Sequence, residues 1–220
     1  FLLDGELPRY MRFKHHSLLD TLDSDVLYAL ILAVRGKKKV LLETEQSAER
    51  VPFIPCRFYF GTQTGRQYVI GFDPVKNRPR KFRIDRIRSV DVSDGPAVSV
   101  DLGRLSEYES HLWNISDGRY QNADGPLIPK HFEMTVSVLP HEGFILRRLE
   151  REKKQGTLER VDETHWKFSV DVYDPVEMMP WIRTFTGRIT GLSCADEPDV
   201  IDRFRTNLHD LAEQYGVTDI

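Results

Sequence analysis

Apolar positions along the 220-residue chain fall into two successive patterns. Between Asp25 and Arg35, Leu27, Leu30, Ile31 and Val34 recur at helical spacing, while Val26, Tyr28 and Leu32 make the other sides apolar too. Ser24 reads as the N-cap, Asp25 lies in the first turn, and Arg35 and Lys37 to Lys39 close the far end. Such a helix either packs under the sheet that follows or shows one side to a second subunit. Short strand signals come next: Lys39–Thr44, Pro55–Gln63, Arg66–Phe72, Arg80–Ile84 and Arg88–Val92. In the second of these, Cys56, Phe58 and Phe60 alternate with Arg57 and Tyr59. Thr64-Gly65 and Asp73-Pro74 with Asn77 supply turns, and Asp94-Gly95-Pro96 ends the run. Five short strands in about 55 residues predict a small, strongly curved sheet or barrel.

The second pattern alternates strands with helices. Leu102–Trp113 reads as a helix, and Ser116–Lys130, with Gly118, Gly125, Pro126 and Pro129, as a linker. Phe132, Met134, Val136 and Val138 mark a strand over His131–Leu139, and Glu142–Lys153 is helical until Gly156 stops it. Strands at Thr157–Val161 and His165–Tyr173, a helix at Pro175–Phe185 and a strand at Arg188–Ser193 complete a β-α-β-β-α-β order, the split βαβ or ferredoxin-like arrangement. Pro198 opens a last amphipathic helix to Tyr215. The fold class is α+β. Its expected divisions are an arm and buried helix (1–36), the small barrel with a linker helix (37–115), a linker (116–130) and the ferredoxin-like domain (131–220).

Composition narrows the classes. The longest apolar run, Val26 to Val34, is far short of the roughly 20 residues a membrane-spanning helix needs. Cys56 and Cys194 are too few for a disulfide framework or a cysteine zinc site, which leans towards a reducing, cytoplasmic setting. The chain begins at Phe1 without a basic-plus-apolar leader and reads as a fragment of a longer protein. Net charge is −3, from 31 basic and 34 acidic residues. Between Val51 and Val90, however, nine basic residues face only Asp73 and Asp85, giving +7 there and −10 elsewhere. A basic block in an acidic chain is the footprint of a local anion site, or else a solvated arginine-rich surface.

Catalytic and metal motifs are absent from the sequence. The seven histidines show no ligand spacing, and neither a Walker loop, a G-x-G-x-x-G nor a G-x-S-x-G occurs. Asp171 and Asp174 flank Tyr173 but read as surface carboxylates. No enzymatic activity, metal or cofactor is expected.

What stands out is Gly65-Arg66-Gln67-Tyr68-Val69-Ile70-Gly71 followed by Arg80-Lys81-Phe82-Arg83-Ile84-Asp85-Arg86-Ile87. Here the sequence resembles the WYL-domain family of bacterial transcriptional regulators, in which a Trp-Tyr-Leu strand precedes an Arg-x-Phe-Arg-Leu-Asp-Arg-Ile strand. Ile84 stands for the usual Leu, and Gln67 and Val69 replace Trp and Leu around Tyr68, as in the branch with an Arg-Gln-Tyr start. Arg147-Arg148-Leu149, Trp181-Ile182-x-x-Phe185 and a closing helix ending in Tyr215 resemble the C-terminal extension that commonly follows such a domain.

The resemblance implies an Sm-like barrel, a ferredoxin-like extension, a preceding DNA-binding domain that contacts promoter DNA, and a homodimer. It also implies a sensor for an anionic effector, such as single-stranded nucleic acid or a nucleotide. Arginine forks bind phosphate bidentately and tyrosines stack bases, so the candidate ligand residues are Arg57, Arg66, Tyr68, Arg80, Arg83 and Arg86, with Tyr59 as a further stacking surface. Along Arg80–Ile87 read as one strand, Phe82 and Ile84 point to the core with Arg80 and Arg86 at the ends, while Lys81, Arg83 and Asp85 face outwards. A structural alternative pairs Arg86 with Asp85 or a carboxylate elsewhere, bridging barrel and helix. Trp166 and Trp181 read as core, and Arg147 and Arg148 as surface. The other functional reading is a module that binds single-stranded nucleic acid, for example in a defence system, without a transcriptional role.

Overall fold

The computed structural model describes residues 25–61, 65–118 and 127–217. It is an α+β structure with two antiparallel sheets in two units, divided between Leu105 and Ser106. The expected arm, the Ser24 cap and the middle of the expected linker lie outside the described residues.

In the first unit, α1 (Asp25–Gly36) precedes β1 (Val40–Thr44), β2 (Ser47–Phe60), β3 (Gln67–Asp73), β4 (Arg78–Arg83) and β5 (Ile87–Val92), with a single 3-10 turn at Ile84–Arg86. The sheet order is β4-β3-β2-β1-β5. Among the described residues no ladder joins β4 to β5, so the sheet is open and not a closed barrel. Strand β2 is the long member: Ser47, Val51, Pro52 and Phe53 pair with β1, and Ile54, Pro55 and Arg57 to Phe60 pair with β3. Its first half escapes the sequence reading because Pro52 and Pro55 argue against a strand. Helix α1 does pack on the sheet: Leu27, Leu30 and Ala33 are buried with Val40, Leu42, Phe53, Val69, Ile84 and Ile87. Its other side is open, with Tyr28 39% and Leu32 44% exposed.

Two features set the geometry of the motif strands. Cys56 is an extra residue in β2: Pro55 opposes Gly71 and Arg57 opposes Ile70, a bulge that bends the strand. Gly71 admits the closest approach of β2, since a Cβ there would lie 1.9 Å from the Ile54 carbonyl oxygen. The turn into β4 is built by Asp73, whose Oδ1 accepts the N–H groups of Val75 (2.9 Å) and Lys76 (3.0 Å), while Asn77 takes φ 45°.

The second unit continues from α2 (Leu102–Ser110), which straddles the division, to β6 (Lys130–Ser137), α3 (Gly143–Glu152), β7 (Thr157–Arg160), β8 (His165–Val172), α4 (Met179–Ile182) between two 3-10 turns, β9 (Ile189–Ser193) and α5 (Pro198–Gln214). The strand order is β7-β8-β6-β9. Phe132, Met134, Val136, Phe168, Val170 and Val172 bury one sheet face with Ile145, Leu149, Ile182, Phe185, Val200, Ile201 and Phe204. Trp181 joins this core, tilted 5.0 Å from Trp113, and Trp166 packs against it. Arg148 lies over Phe185 and bonds Glu152, while Arg147 is exposed.

Three local expectations need correction. Lys154, at φ 50°, makes the left-handed turn after α3; Gly156 is instead where a Cβ would meet Phe168 Cε2 at 2.3 Å. Asp174 is buried and accepts the Val176 N–H, so it is not a surface carboxylate. The segment expected to begin a linker is anchored: Glu177 Oε2 accepts the successive N–H groups of Asn114, Ile115 and Ser116 at 2.8–3.1 Å.

Candidate anion-binding face

Sheet register brings together residues that lie far apart in sequence. Tyr59 on β2 opposes Tyr68 on β3, which opposes Arg83 on β4. Directly opposed residues stand about 5 Å apart, so these three form one cross-strand row. The neighbouring row on the same face is Arg57, Ile70 and Lys81. Tyr59, Tyr68, Arg57, Lys81 and Arg83 are all half-buried, and Ile70 is fully buried. The face continues to Ile54 and Phe72, also buried, where the Arg104 guanidinium stacks 6.0 Å from the Phe72 ring.

The remaining candidates lie elsewhere. Arg80 is on the opposite face, its guanidinium 4.9 Å over the Phe82 ring and its Nη1–H donating to Asp73 Oδ2 at 3.2 Å. Phe82 in turn meets Phe53 edge-on and packs on the core. Arg80 therefore closes the rim of the core and fixes the turn. Arg66 is exposed and precedes β3, its carbonyl accepting from the Gly61 N–H. Arg86 is not on a strand, because β4 ends at Arg83 and the 3-10 turn intervenes; its carbonyl accepts the Glu45 N–H. Ile84 is buried in that turn. The in-and-out placement expected over Arg80–Ile87 thus holds for Ile84 and Asp85, buried and exposed, but the strand itself ends at Arg83.

Charge compensation on this face is local. Arg83 donates from Nε to Asp85 Oδ1 at 3.0 Å and from Nη2 to Asp85 Oδ2 at 2.5 Å. Asp85 is thus paired with Arg83 and not with Arg86: its carboxylate turns back along the chain. The two side chains are 22% and 28% exposed. The Asp85 hydrogen bonds hold the Arg83 guanidinium above its ordinary pKa against burial, and the charge of Asp85, Tyr68 and Glu45 adds to this. Asp73 is the converse. Burial opposes its charge, yet the Lys76 and Val75 N–H groups and Arg80 together hold its carboxyl below the usual value. The part missed from sequence is Asp85 as a counterion for Arg83. The Arg-x-Asp spacing is the signal that could have found it.

Among the described residues no group of histidine, cysteine or carboxylate side chains could hold a metal ion, and no helix is long and apolar enough to cross a membrane.

Residues 25–92 match the WYL domain family. Among solved structures, the chain is similar to proteasome accessory factor B/C (PafBC) of Arthrobacter aurescens, with 15% sequence identity and a TM-score of 0.39. That match covers 94% of this chain and 28% of the other, so the chain spans little more than a quarter of that protein's length. No curated protein sequence matches.

Proposed function

With residues 25–92 identified as a WYL domain, we propose that this region is the effector-sensing part of a cytoplasmic transcriptional regulator and binds an anionic ligand on the Tyr59–Tyr68–Arg83 face. The ligand class is single-stranded nucleic acid or a nucleotide. The observation that carries the reading is the register: two tyrosines and an arginine in one row, with Arg57 and Lys81 in the next. Aromatic rings stack bases with little sequence preference, and guanidinium groups take phosphate oxygens, so this row offers both contacts. Arg57, Tyr68 and Arg83 belong to the site; Arg66 and Arg86 border it, and Arg80 supports the strand. No catalytic step is part of this function.

Architecture supports the same reading. A helix leading into strands ordered β4-β3-β2-β1-β5, with a 3-10 turn between β4 and β5, supports an Sm-like module. The order β7-β8-β6-β9 with its two helical connections supports a ferredoxin-like extension. In the whole regulator, a homodimer would couple effector binding to promoter DNA through a DNA-binding domain, by differential affinity for two arrangements.

The test is titration of a short oligodeoxythymidylate into the protein at several salt concentrations. Binding should weaken with salt, the log–log slope being about −0.7 per phosphate neutralised. Arg83→Ala should lose about 1.5–3 kcal/mol of binding. Salt-indifferent binding, or none, would sink the anion-site reading.

A further inference from the structure

We infer that Asp85 is a built-in competitor for the effector: it masks Arg83, so an anionic ligand either meets one available cation fewer or displaces a carboxylate to bind. This rests on the anion-site reading and names how that site is regulated.

Three observations carry it. The Asp85 carboxylate engages the side edge of the guanidinium, Nε and Nη2, at two points. That is the geometry a phosphate would use, and it leaves the pair formally neutral. Second, the pair is local. Asp85 sits two residues after Arg83 on the 3-10 turn, so its effective concentration at the guanidinium is high without any long-range contact. Third, nothing else among the described residues holds the Asp85 side chain. A carboxylate that positions an arginine must itself be fixed; one whose only hydrogen bonds go to that arginine is free to leave.

Masking and positioning predict opposite signs. If Asp85 oriented Arg83 for ligand, removing its charge would weaken binding. If it competes, removal strengthens binding, whether the ligand displaces the carboxylate or approaches beside it and meets its repulsion.

The experiment compares wild type, Asp85→Asn, Arg83→Gln and the double variant in titrations with the same short oligodeoxythymidylate. Asp91→Asn removes an equal charge from another exposed pair of the unit, with Arg50, and controls for net charge. Masking predicts about two- to fivefold tighter binding for Asp85→Asn, the scale of an exposed ion pair. The salt slope should steepen by about 0.7, for one more available cation on a single strand. The gain should vanish in the Arg83→Gln background and be absent in Asp91→Asn. Circular dichroism melting shows that each variant is folded. Wild-type binding with no gain in Asp85→Asn, or with a loss, overturns the inference and leaves the anion site standing. A gain that persists without Arg83 overturns it too. No binding by wild type or Asp85→Asn sinks the anion site and this inference together.

Discussion

Two arginine–carboxylate forks, one in each unit, differ in almost everything but their number of hydrogen bonds. Arg188 donates from Nη1 and Nη2 to the two oxygens of Glu142, both at 2.6 Å, across 46 residues of sequence. Glu142 Oε2 also accepts the Leu139 N–H at 3.0 Å, so the carboxylate ties the corner between β6 and α3 to the start of β9. Its side chain is only 12% exposed. Arg83 and Asp85 are two residues apart, join no separate elements, and Asp85 has no third bond among the described residues. Geometry alone therefore does not distinguish a staple from a removable counterion. What distinguishes them is whether the carboxylate is held by something other than its arginine.

Substitutions can break or sharpen this contrast, and the largest effect lies beneath the first fork. Gly71→Ala should destabilise the first unit by about 3 kcal/mol or more, because the new methyl group meets the Ile54 backbone carbonyl and cannot rotate away. Urea denaturation followed by far-ultraviolet circular dichroism measures it. A small change would mean that β2 and β3 yield easily, and the row presenting Arg83 is softer than its register implies.

Next comes the Glu142 fork. Hydrogen bonds from Arg188 and the Leu139 N–H bring the Glu142 pKa from 4.5 to about 2. A carboxyl lowered on folding adds stability that is fully present above pH 4.5 and fades as pH falls towards 2. The urea midpoint should therefore drop on acidification through that window, and Glu142→Gln should remove this part of the drop. Tryptophan emission is a suitable probe, since Trp113, Trp166 and Trp181 all lie in the second unit. An unchanged acid profile in Glu142→Gln would break the contrast.

On the ligand side, Tyr68→Leu should cost about 1–3 kcal/mol of oligonucleotide binding through lost stacking, while Tyr68→Phe keeps the ring and the affinity. Equal losses in both would assign the role to the hydroxyl. The smallest effect is on the stability of Asp85→Asn, expected within about 0.5 kcal/mol in the same urea experiment. A larger loss would make Asp85 a second staple.

Element order in both units was legible because the apolar period changes cleanly from about 3.6 to 2 and back, as between Leu30 and Val40 and between Val138 and Ile145. Tyr68 and Arg83 were legible as candidates through the motif strands, and alternation turned Arg83 away from Phe82. The limits were equally physical. Pro52 and Pro55 hid the first half of β2, a long strand carried by its pairing rather than by propensity. Arg86 was misplaced because nothing in Arg83-Ile84-Asp85-Arg86 marks the chain's change from strand to 3-10 turn. Arg80 matched the motif as well as Arg83 did, yet alternation puts it on the core rim with Asp73. Alternation already set the two arginines on opposite faces, and the register of β4 agrees.

The bulge at Cys56 bears on how the chain can change length. Elsewhere in the half of β2 that pairs with β3, losing one residue would exchange inside and outside for every side chain beyond the cut, trading Phe58 for Arg57 or Tyr59 in the core. Cys56 is the extra residue of the bulge, with Pro55 and Arg57 already opposite consecutive residues of β3. Deleting it leaves each side chain on the face it now occupies and removes only the bend. In the half of β2 that pairs with β3, Cys56 is where a one-residue deletion keeps the faces, and that position borders the proposed ligand face.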